Sequence, residues 1–319
     1  MKIALITPYA GHSRNGNRNT AYRWADFLRQ VGHLVTIQVV WDGAPADLML
    51  ALHARRSHDS ILRFARAHPD RPLILALTGT DLYRDIRHDA SARLSMALAT
   101  RMIVLQEMGL RELTPELRNK TSVIHQSSAP VKPRRKPGRH FQACVIGNLR
   151  EEKDPFRCAY ALRHIPRESR LRVIQIGDAL TPQMAEEARS IMENEARYRW
   201  LGALPHWRAL ERLAQSHVMV ISSRMEGGAN VICEAVGAGV PVIASDIDGN
   251  IGMLGTDYAA YYPCEDEKAL ADILWRVESD PDFHRLIEQQ VEARRDLFTP
   301  ERERAGLVQL ISPTQAGRG

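Results

Sequence analysis

The chain has 319 residues, of which 44% are hydrophobic and 25% are charged. This is the composition of a globular protein, and the length predicts two domains of about 150 residues each. No run of about 18 apolar residues occurs, which excludes a membrane-spanning helix. No amphipathic basic helix with large apolar residues stands out as a membrane anchor, so no membrane partner is expected. The apolar stretch that follows Met1 is too short for the core of a signal peptide. We therefore expect a cytoplasmic protein.

The formal net charge is +5, and the basic residues are spread along the chain. The one dense run, at residues 132–136, lies among prolines, and no aromatic-rich motif of the RNA-binding kind occurs. A basic but unspecialised surface with no nucleic-acid partner is therefore expected. The four cysteines have neither metal-like nor redox-like spacing, which is typical of small buried side chains in a reducing compartment. They are Cys144, Cys158, Cys233 and Cys264.

Short apolar strands alternate with helices in the first half of the chain. Residues 2–7 predict a strand, residues 8–19 a polar loop, and residues 20–31 a helix that ends at Gly32. Further elements are expected as strands at 34–40, 72–77, 102–105 and 123–125, a short apolar run at 48–53 and a helix at 61–67. This alternation predicts a parallel sheet with helices on both faces.

The second half repeats this rhythm after a break. Prolines and charges exclude a regular element at residues 134–140, which predict a linker between a first domain at 1–133 and a second at 141–311, with a tail at 312–319. The expected elements of the second domain are strands at 142–146, 171–176, 200–202, 218–222 and 241–245 and helices at 230–238, 269–279 and 283–298. The fold class predicted is α/β, with two Rossmann-like, doubly wound parallel-sheet domains. Their ligand-binding loops should face each other across a cleft.

The most informative segment runs from residue 222 to residue 249. Gly227 and Gly228 follow a predicted strand and allow the backbone to approach a ligand closely. The helix that begins near Asn230 aims its free N–H groups and the positive end of its dipole at such a ligand. Together with Ala229 and Val231, this arrangement predicts an anion site suited to a diphosphate. Glu234 lies one turn further on, and its carboxylate can accept protons from a diol such as a ribose.

Glu226 and Glu234 have the E-x7-E spacing of the retaining glycosyltransferases of the GT-B fold. The run Ala-Gly-Val-Pro-Val-Ile-Ala-Ser at residues 238–245 is also similar to the run that follows the second Glu in that family. The chain therefore resembles this family. The resemblance implies a nucleotide-sugar donor whose ribose contacts Glu234. It also implies that Glu226 contacts the donor sugar or stabilises positive charge at the anomeric carbon.

A second stretch, Gly-Asn-Leu-Arg-Glu-Glu-Lys-Asp at residues 147–154, resembles the Gly-Arg-Leu-x-x-Glu-Lys segment of the same family. The resemblance implies that Gly147 and Asn148 lie in the donor site and that Lys153 binds the donor diphosphate. Asn148 stands where the family usually has Arg. Arg150 either supplies the missing charge and acts with Lys153 in catalysis, or is a surface arginine.

The loop at residues 11–20 is more polar than a strand-to-helix turn requires, which is typical of loops that carry function. The resemblance implies that Gly16, with Asn17, approaches the donor phosphate. For the acceptor, our hypothesis is a small anion whose oxygens are bound by arginines of the first domain. These are Arg14, Arg18 and Arg84.

The loop at residues 77–85 contributes two further candidates for the acceptor site, Thr80 and Asp81. Asp81 either contacts the ligand or caps the helix that follows it. Asp81 and His12 are also the candidates for a general base if the acceptor is an alcohol. Asp246 and Asp248 imitate a metal-binding Asp-x-Asp pair, but they follow a strand of the second domain. We interpret them as a loop near the donor and expect no required metal or other cofactor.

Four segments of the first domain carry a more specific resemblance. They are Ser-Arg-Asn-Gly-Asn-Arg at 13–18, Trp-Asp-Gly-Ala-Pro-Ala-Asp at 41–47, Leu-His-Ala-Arg-Arg-Ser at 52–57 and Leu-Thr-Gly-Thr-Asp-Leu-Tyr-Arg-Asp at 77–85. These segments are similar to those of the selenosugar synthases of selenoneine biosynthesis. This resemblance implies transfer of a sugar from UDP-N-acetylglucosamine or UDP-glucose to selenophosphate, with a 1-selenosugar as product. It also implies a functional link to an enzyme that produces selenophosphate. Two alternatives stay open: a transferase that acts on a sugar or lipid hydroxyl, and a nucleotide-sugar-binding protein without turnover.

Overall fold

A computed structural model of the chain describes residues 1–8 and 16–312. The described residues divide into two compact units. Unit 1 contains the chain up to Gln126 and again from Thr299, and unit 2 spans Ser127–Phe298. The division differs from the sequence-based one, because the predicted linker at 134–140 lies inside unit 2 and the last helix belongs to unit 1.

Unit 1 is built on a parallel sheet. Its strands are β1 (Lys2–Ile6), β2 (Leu34–Gln38), β3 (Leu48–Leu52), β4 (Leu73–Ala76), β5 (Arg101–Val104) and β6 (Thr121–Val123). They are ordered β2-β1-β3-β4-β5-β6, with Ile3 opposite Val35 on one side and Leu48 on the other. All five residues of β3 are buried, as expected for a central strand covered on both faces. Alternate β3 side chains belong to different apolar clusters, Met49 to one and Leu50 to the other.

The helices of unit 1 cover both faces of this sheet. They are α1 (Gly16–Gln30), α2 (His58–Ala67), α3 (Ile86–His88), α4 (Ala90–Leu98) and α5 (Pro115–Arg118), with a π-helical turn at Asp81–Asp85 and a 3-10 turn at Glu107–Glu112. Helix α1 begins four residues before the predicted helix. Its first turn is polar, and apolar spacing marks a helix only where the helix faces a core.

The last helix, α13 (Pro300–Ile311), explains why the chain returns to unit 1. Its Leu307 is fully buried in one apolar cluster with Trp24 and Leu28 of α1. Glu303, only 1% exposed, accepts hydrogen bonds from Trp24 Nε1 at 2.6 Å and from Arg23 Nε at 2.8 Å. A carboxylate buried in this way needs such partners, so α13 is fixed to α1 by charge as well as by apolar packing.

Unit 2 contains a second parallel sheet. Its strands are β7 (Phe141–Ile146), β8 (Leu171–Ile176), β9 (Tyr198–Trp200), β10 (Val218–Ile221), β11 (Val242–Ser245) and β12 (Tyr261–Tyr262). The order is β12-β11-β10-β7-β8-β9. Most strands lie within two residues of their predicted bounds. The short strand predicted at 200–202 lies at Tyr198–Trp200 instead, where Tyr198 is buried against the core.

The helices of unit 2 are α6 (Arg157–Ala161), α7 (Pro182–Asn194), α8 (His206–Ala214), α9 (Asn230–Ala238), α10 (Asp248–Leu254), α11 (Glu267–Ser279) and α12 (Pro281–Glu292), with 3-10 turns at Glu151–Lys153, Leu162–His164 and Arg295–Phe298. Helix α9 has the bounds that the sequence predicts. The predicted helix at 283–298 divides into α12 and the last 3-10 turn.

The predicted fold class is confirmed for both units. None of the helices within residues 1–8 and 16–312 is both long and apolar enough to cross a membrane.

Candidate active site

The two loops predicted to bind the donor lie side by side in unit 2. Strands β8 and β9 follow β7 on one side of the sheet, whereas β10 pairs with β7 on its other side. The strand order therefore reverses between β7 and β10. Open α/β sheets bind ligands at such a reversal, beyond the carboxyl ends of the strands. A small cavity lies at this point, and its lining includes Gly147, Lys153, Ser222 and Ser223.

Two residues predicted for catalysis form an ion pair beside this cavity. The side chains of Lys153 and Glu226 are only 20% and 8% exposed, and the Lys153 ammonium group donates a hydrogen bond to Glu226 Oε1. The Ser223 hydroxyl donates to the same oxygen at 2.5 Å. Because an unpaired buried charge is strongly unfavourable, these two donors hold the carboxylate in place. The structure thus joins two predicted residues that are 73 positions apart in the chain.

Glu226 is supported from behind by the residues that follow β11, from a short loop into the first turn of α10. A Cβ atom on Gly249 would lie 2.0 Å from the carbonyl oxygen of Glu226 and 2.9 Å from its Cβ atom, so this approach requires glycine. Ser245 Oγ donates to the carbonyl oxygen of Ser223 at 2.6 Å. Asn250 Nδ2 in turn donates to Ser245 Oγ at 3.0 Å. The sequence places this loop near the donor but gives Gly249 no role, although Gly next to Asn after a strand is a signal for close backbone approach.

The loop after β7 is fixed by a second close approach. A Cβ atom on Gly177 would lie 1.9 Å from the carbonyl oxygen of Gly147. Asn148 Oδ1 accepts a hydrogen bond from the backbone N–H of Asp178 at 3.1 Å. Asn148, which stands where the family usually has Arg, thus connects the loop after β7 to the loop after β8. Arg150 is partly exposed and precedes the 3-10 turn that carries Lys153. The roles of Asn148 and Arg150 toward a donor stay predictions.

Helix α9 begins where the loop after β10 ends. Gly227 is buried, Gly228 is partly exposed, and Ala229 adopts the extended conformation that starts the helix. An alanine has no side-chain oxygen to cap the first turn, so the N–H groups near Asn230 and Val231 are available to an anion. This arrangement is the one that the sequence predicts for a diphosphate site.

Glu234 has a partner that the sequence does not predict. Its Oε1 atom lies 2.9 Å from Nε2 of His206, the first residue of α8. The hydrogen bond and charge of Glu234 raise the pKa of His206 despite the opposing effect of burial. Glu234 is 16% exposed and His206 is 67% exposed, so the imidazole covers the carboxylate from the solvent side. A ribose that binds this carboxylate oxygen has to displace His206 from it.

In unit 1, the predicted residues Gly16, Asn17 and Arg18 form the first turn of α1. The Thr20 hydroxyl donates to the carbonyl oxygen of Gly16 at 2.9 Å. The Arg18 guanidinium lies over the ring of Tyr22, 4.4 Å from its centroid. Arg14 lies outside the described residues.

The other three acceptor candidates lie together at the carboxyl end of β4. Thr80 is partly exposed and directly precedes the π-helical turn. The Asp81 carboxylate is completely buried and accepts hydrogen bonds from the backbone N–H groups of Thr78 and Gly79, both at 2.9 Å, and of Ala54 at 3.0 Å. These N–H groups belong to residues that precede Asp81 in the chain. The Asp81 carboxylate therefore stabilises the loop before it and does not cap the helical turn that follows. Arg84 is 47% exposed.

A family model described as "Glycosyl transferases group 1" matches residues 130–294, just over half of the chain. The chain belongs to this family. The matched segment contains both donor loops of unit 2, and the predicted glycosyltransferase family is thereby confirmed. The E-x7-E assignment of Glu226 and Glu234 stays a prediction.

Known proteins extend the similarity beyond the matched segment. Glycosyltransferase 1 domain-containing protein 1 of Xenopus tropicalis is 24% identical over 283 residues, which cover 80% of this chain and 81% of that protein. Among solved structures, HepE of Anabaena in complex with UDP and glucose is 16% identical, with a TM-score of 0.76 over 97% of this chain and 98% of that one. Sucrose-phosphate synthase of Thermosynechococcus elongatus is 17% identical, with a TM-score of 0.80 over the same shares. At these identities the solved structures establish the GT-B fold of this group 1 glycosyltransferase.

Proposed function

We propose that this group 1 glycosyltransferase transfers a hexose from a UDP-sugar, UDP-N-acetylglucosamine or UDP-glucose, to selenophosphate. The observation that carries the donor half of the proposal is the ion pair between Lys153 and Glu226 at the cavity of unit 2. The pair sets a cation suited to a diphosphate beside a carboxylate suited to sugar hydroxyls, next to the N-terminus of α9. A nucleoside-diphosphate sugar matches these three features together.

The choice of UDP has independent support. HepE of Anabaena, which has the same fold, is known in complex with UDP-glucose. In the proposed complex the ribose hydroxyls bind the Glu234 carboxylate and displace the His206 imidazole from it. In the proposed complex Lys153 leaves Glu226 and donates to the diphosphate, and Glu226 turns to the donor sugar. Arg150 is the candidate for a second positive charge near the diphosphate.

The acceptor half rests on the first-domain loops that resemble selenosugar synthases and on the positive charge of Arg18 and Arg84. Selenophosphate is already anionic, so its selenium atom needs no strong general base. In the proposed step, selenium forms a bond to the anomeric carbon while the bond from that carbon to the UDP oxygen breaks, and UDP departs with the bonding electrons. Water then cleaves the selenium–phosphorus bond and releases phosphate. Rate enhancement comes from positioning and from stabilising the departing diphosphate.

The proposal is tested by the initial rate of UDP release from purified protein, each UDP-sugar and freshly generated selenophosphate, with each component omitted in turn. Release that requires both substrates supports the proposal. A matched reaction replaces selenophosphate by glucose or glycerol as hydroxyl acceptors. Release that depends on a hydroxyl acceptor and not on selenophosphate would refute the acceptor assignment, and UDP-sugar binding without release under any condition would indicate a binding protein.

A further inference from the structure

A buried histidine of unit 1 lies directly behind the predicted acceptor loop. His53 follows β3, and only 2% of its surface is exposed. Its φ angle is +74°, a left-handed backbone conformation that few residues with a side chain adopt. Such a conformation persists only where the surroundings hold it, and it occurs preferentially at functional sites.

The imidazole ring of His53 contacts two neighbouring loops. Its Nδ1 atom accepts a hydrogen bond from the backbone N–H of Arg56 at 3.3 Å. Its Nε2 atom lies 3.1 Å from Oγ1 of Thr80. Two carboxylates flank the ring, with Asp81 Oδ2 4.0 Å from Nδ1 and Asp85 Oδ2 3.9 Å from Nε2. The ring is thus held on both sides.

These contacts determine where the ring hydrogen lies. A nitrogen that accepts a hydrogen bond through its lone pair carries no hydrogen, so Nδ1 is bare and Nε2 bears the hydrogen of the neutral ring. Nε2 therefore donates to Thr80 Oγ1. A threonine hydroxyl has one hydrogen, and with its oxygen accepting from His53 that hydrogen points away from the ring. The Thr80 side chain is partly exposed at the carboxyl edge of the sheet, where ligands bind.

We propose that His53 is a positioning residue that orients the Thr80 hydroxyl to donate a hydrogen bond to an oxygen of the anionic acceptor, an inference that rests on the proposed function. The turn that follows Thr80 strengthens this arrangement. Asp85 Oδ1 accepts a hydrogen bond from Arg84 Nε at 3.3 Å, and Asp85 Oδ2 accepts one from Arg55 Nε at 2.8 Å. Arg84, close to Thr80 in the chain, is thereby held in place. Burial opposes the ionisation of Asp85, but the hydrogen bonds from the two arginines outweigh it and lower the pKa of Asp85.

Two substitutions separate this role from a merely structural one. In His53→Asn, the amide oxygen replaces Nδ1 and asparagine tolerates the left-handed backbone, but the side chain is too short to reach Thr80. In His53→Gln, an amide N–H replaces the donor at Nε2. We expect His53→Asn to lower kcat/KM for selenophosphate about ten- to hundredfold, as loss of a hydrogen bond to a charged group does. His53→Gln should recover most of this loss, and both variants should bind UDP like the wild type.

A double-mutant cycle tests the connection between the two residues. Thr80→Val should cause a loss like that of His53→Asn, and the double variant should lose little more than either single variant. Full kinetic activity of His53→Asn, or losses that multiply in the double variant, would overturn the inference.

A readout that needs no acceptor is the ¹⁵N spectrum of the His53 imidazole, assigned by its absence from His53→Asn. Hydrogen on Nε2 and a bare Nδ1 are expected, and hydrogen on Nδ1 would overturn the inference. This readout tests whether His53 orients the Thr80 hydroxyl even if the wild type shows no selenophosphate-dependent UDP release, which is the separate failure of the proposed function.

Discussion

A single methyl group at position 249 should disable the site while leaving the fold intact. The Cβ atom of Gly249→Ala would lie 2.0 Å from the carbonyl oxygen of Glu226 and 2.8 Å from its carbonyl carbon. Carbon and oxygen atoms that are not bonded stay about 3.3 Å apart at closest, so the Glu226 backbone has to move by about 1 Å. Overpacking of this kind costs about 1–3 kcal/mol of unfolding free energy. A displacement of about 1 Å at a reacting group lowers the rate about 100-fold.

Gly237→Ala is the matched control. Gly237 lies inside α9 of the same unit, and a Cβ atom there would meet its nearest neighbour, the carbonyl oxygen of Ala129, at 3.6 Å. This is an ordinary contact, and alanine stabilises a helix interior by about 0.5–1 kcal/mol relative to glycine. The assays are UDP release with saturating donor and urea unfolding followed by circular dichroism. Gly249→Ala with a wild-type rate and wild-type stability would refute the assignment of Gly249 as the support of Glu226.

Three further predictions concern individual side chains of unit 2. Lys153→Met should weaken UDP binding about 10- to 100-fold in calorimetric titration, because a charged hydrogen bond to the diphosphate is lost; an unchanged Kd would contradict the diphosphate role of Lys153. UDP binding should strengthen about two- to fivefold as the pH rises through the raised pKa of His206, since a ribose that displaces this partly exposed imidazole from Glu234 releases a proton. His206→Gln should lose that pH dependence, and a slope that persists in it would sink the explanation. Burial lowers the pKa of His217 from 6.5 to about 4, so the unfolded chain takes up this proton more readily and stability falls as the pH drops below 6.5. For this half-buried ring we expect a loss of about 1 kcal/mol between pH 7 and pH 5 in urea unfolding, and the same loss in His217→Asn would contradict the assignment.

Local patterns in the sequence predict much of the fold. Apolar runs give every strand except β12 to within about two residues, since a strand covered on both faces has to be apolar along its length. The two-residue strand β12 is too short to show such a run. Helix α9 has the predicted bounds because Gly-Gly before it and Gly239 after it, with φ of +66°, are local signals. The start of α1 is missed because its first turn faces no core.

Contacts between distant segments are not predicted by local patterns. The sequence assigns residues 300–311 to the second domain and predicts no helix there, whereas Glu303 of α13 accepts hydrogen bonds from residues about 280 positions earlier. The partner of Glu234 is His206, 28 positions away. No local sequence pattern predicts either of these contacts. The ion pair of Lys153 and Glu226 could have been predicted, because both residues belong to recognisable sequence motifs and the strand order places their loops side by side.

The most direct test of the proposed reaction is the mass of its product. Purified protein, a UDP-sugar and selenophosphate are incubated together, and the mixture is analysed by liquid chromatography and mass spectrometry with each substrate omitted in turn. The proposal predicts a hexose-containing product with the isotope pattern of selenium that forms only when both substrates are present, in step with the release of UDP. Release of UDP together with a free sugar or an O-linked sugar, and no selenium in any sugar product, would contradict it.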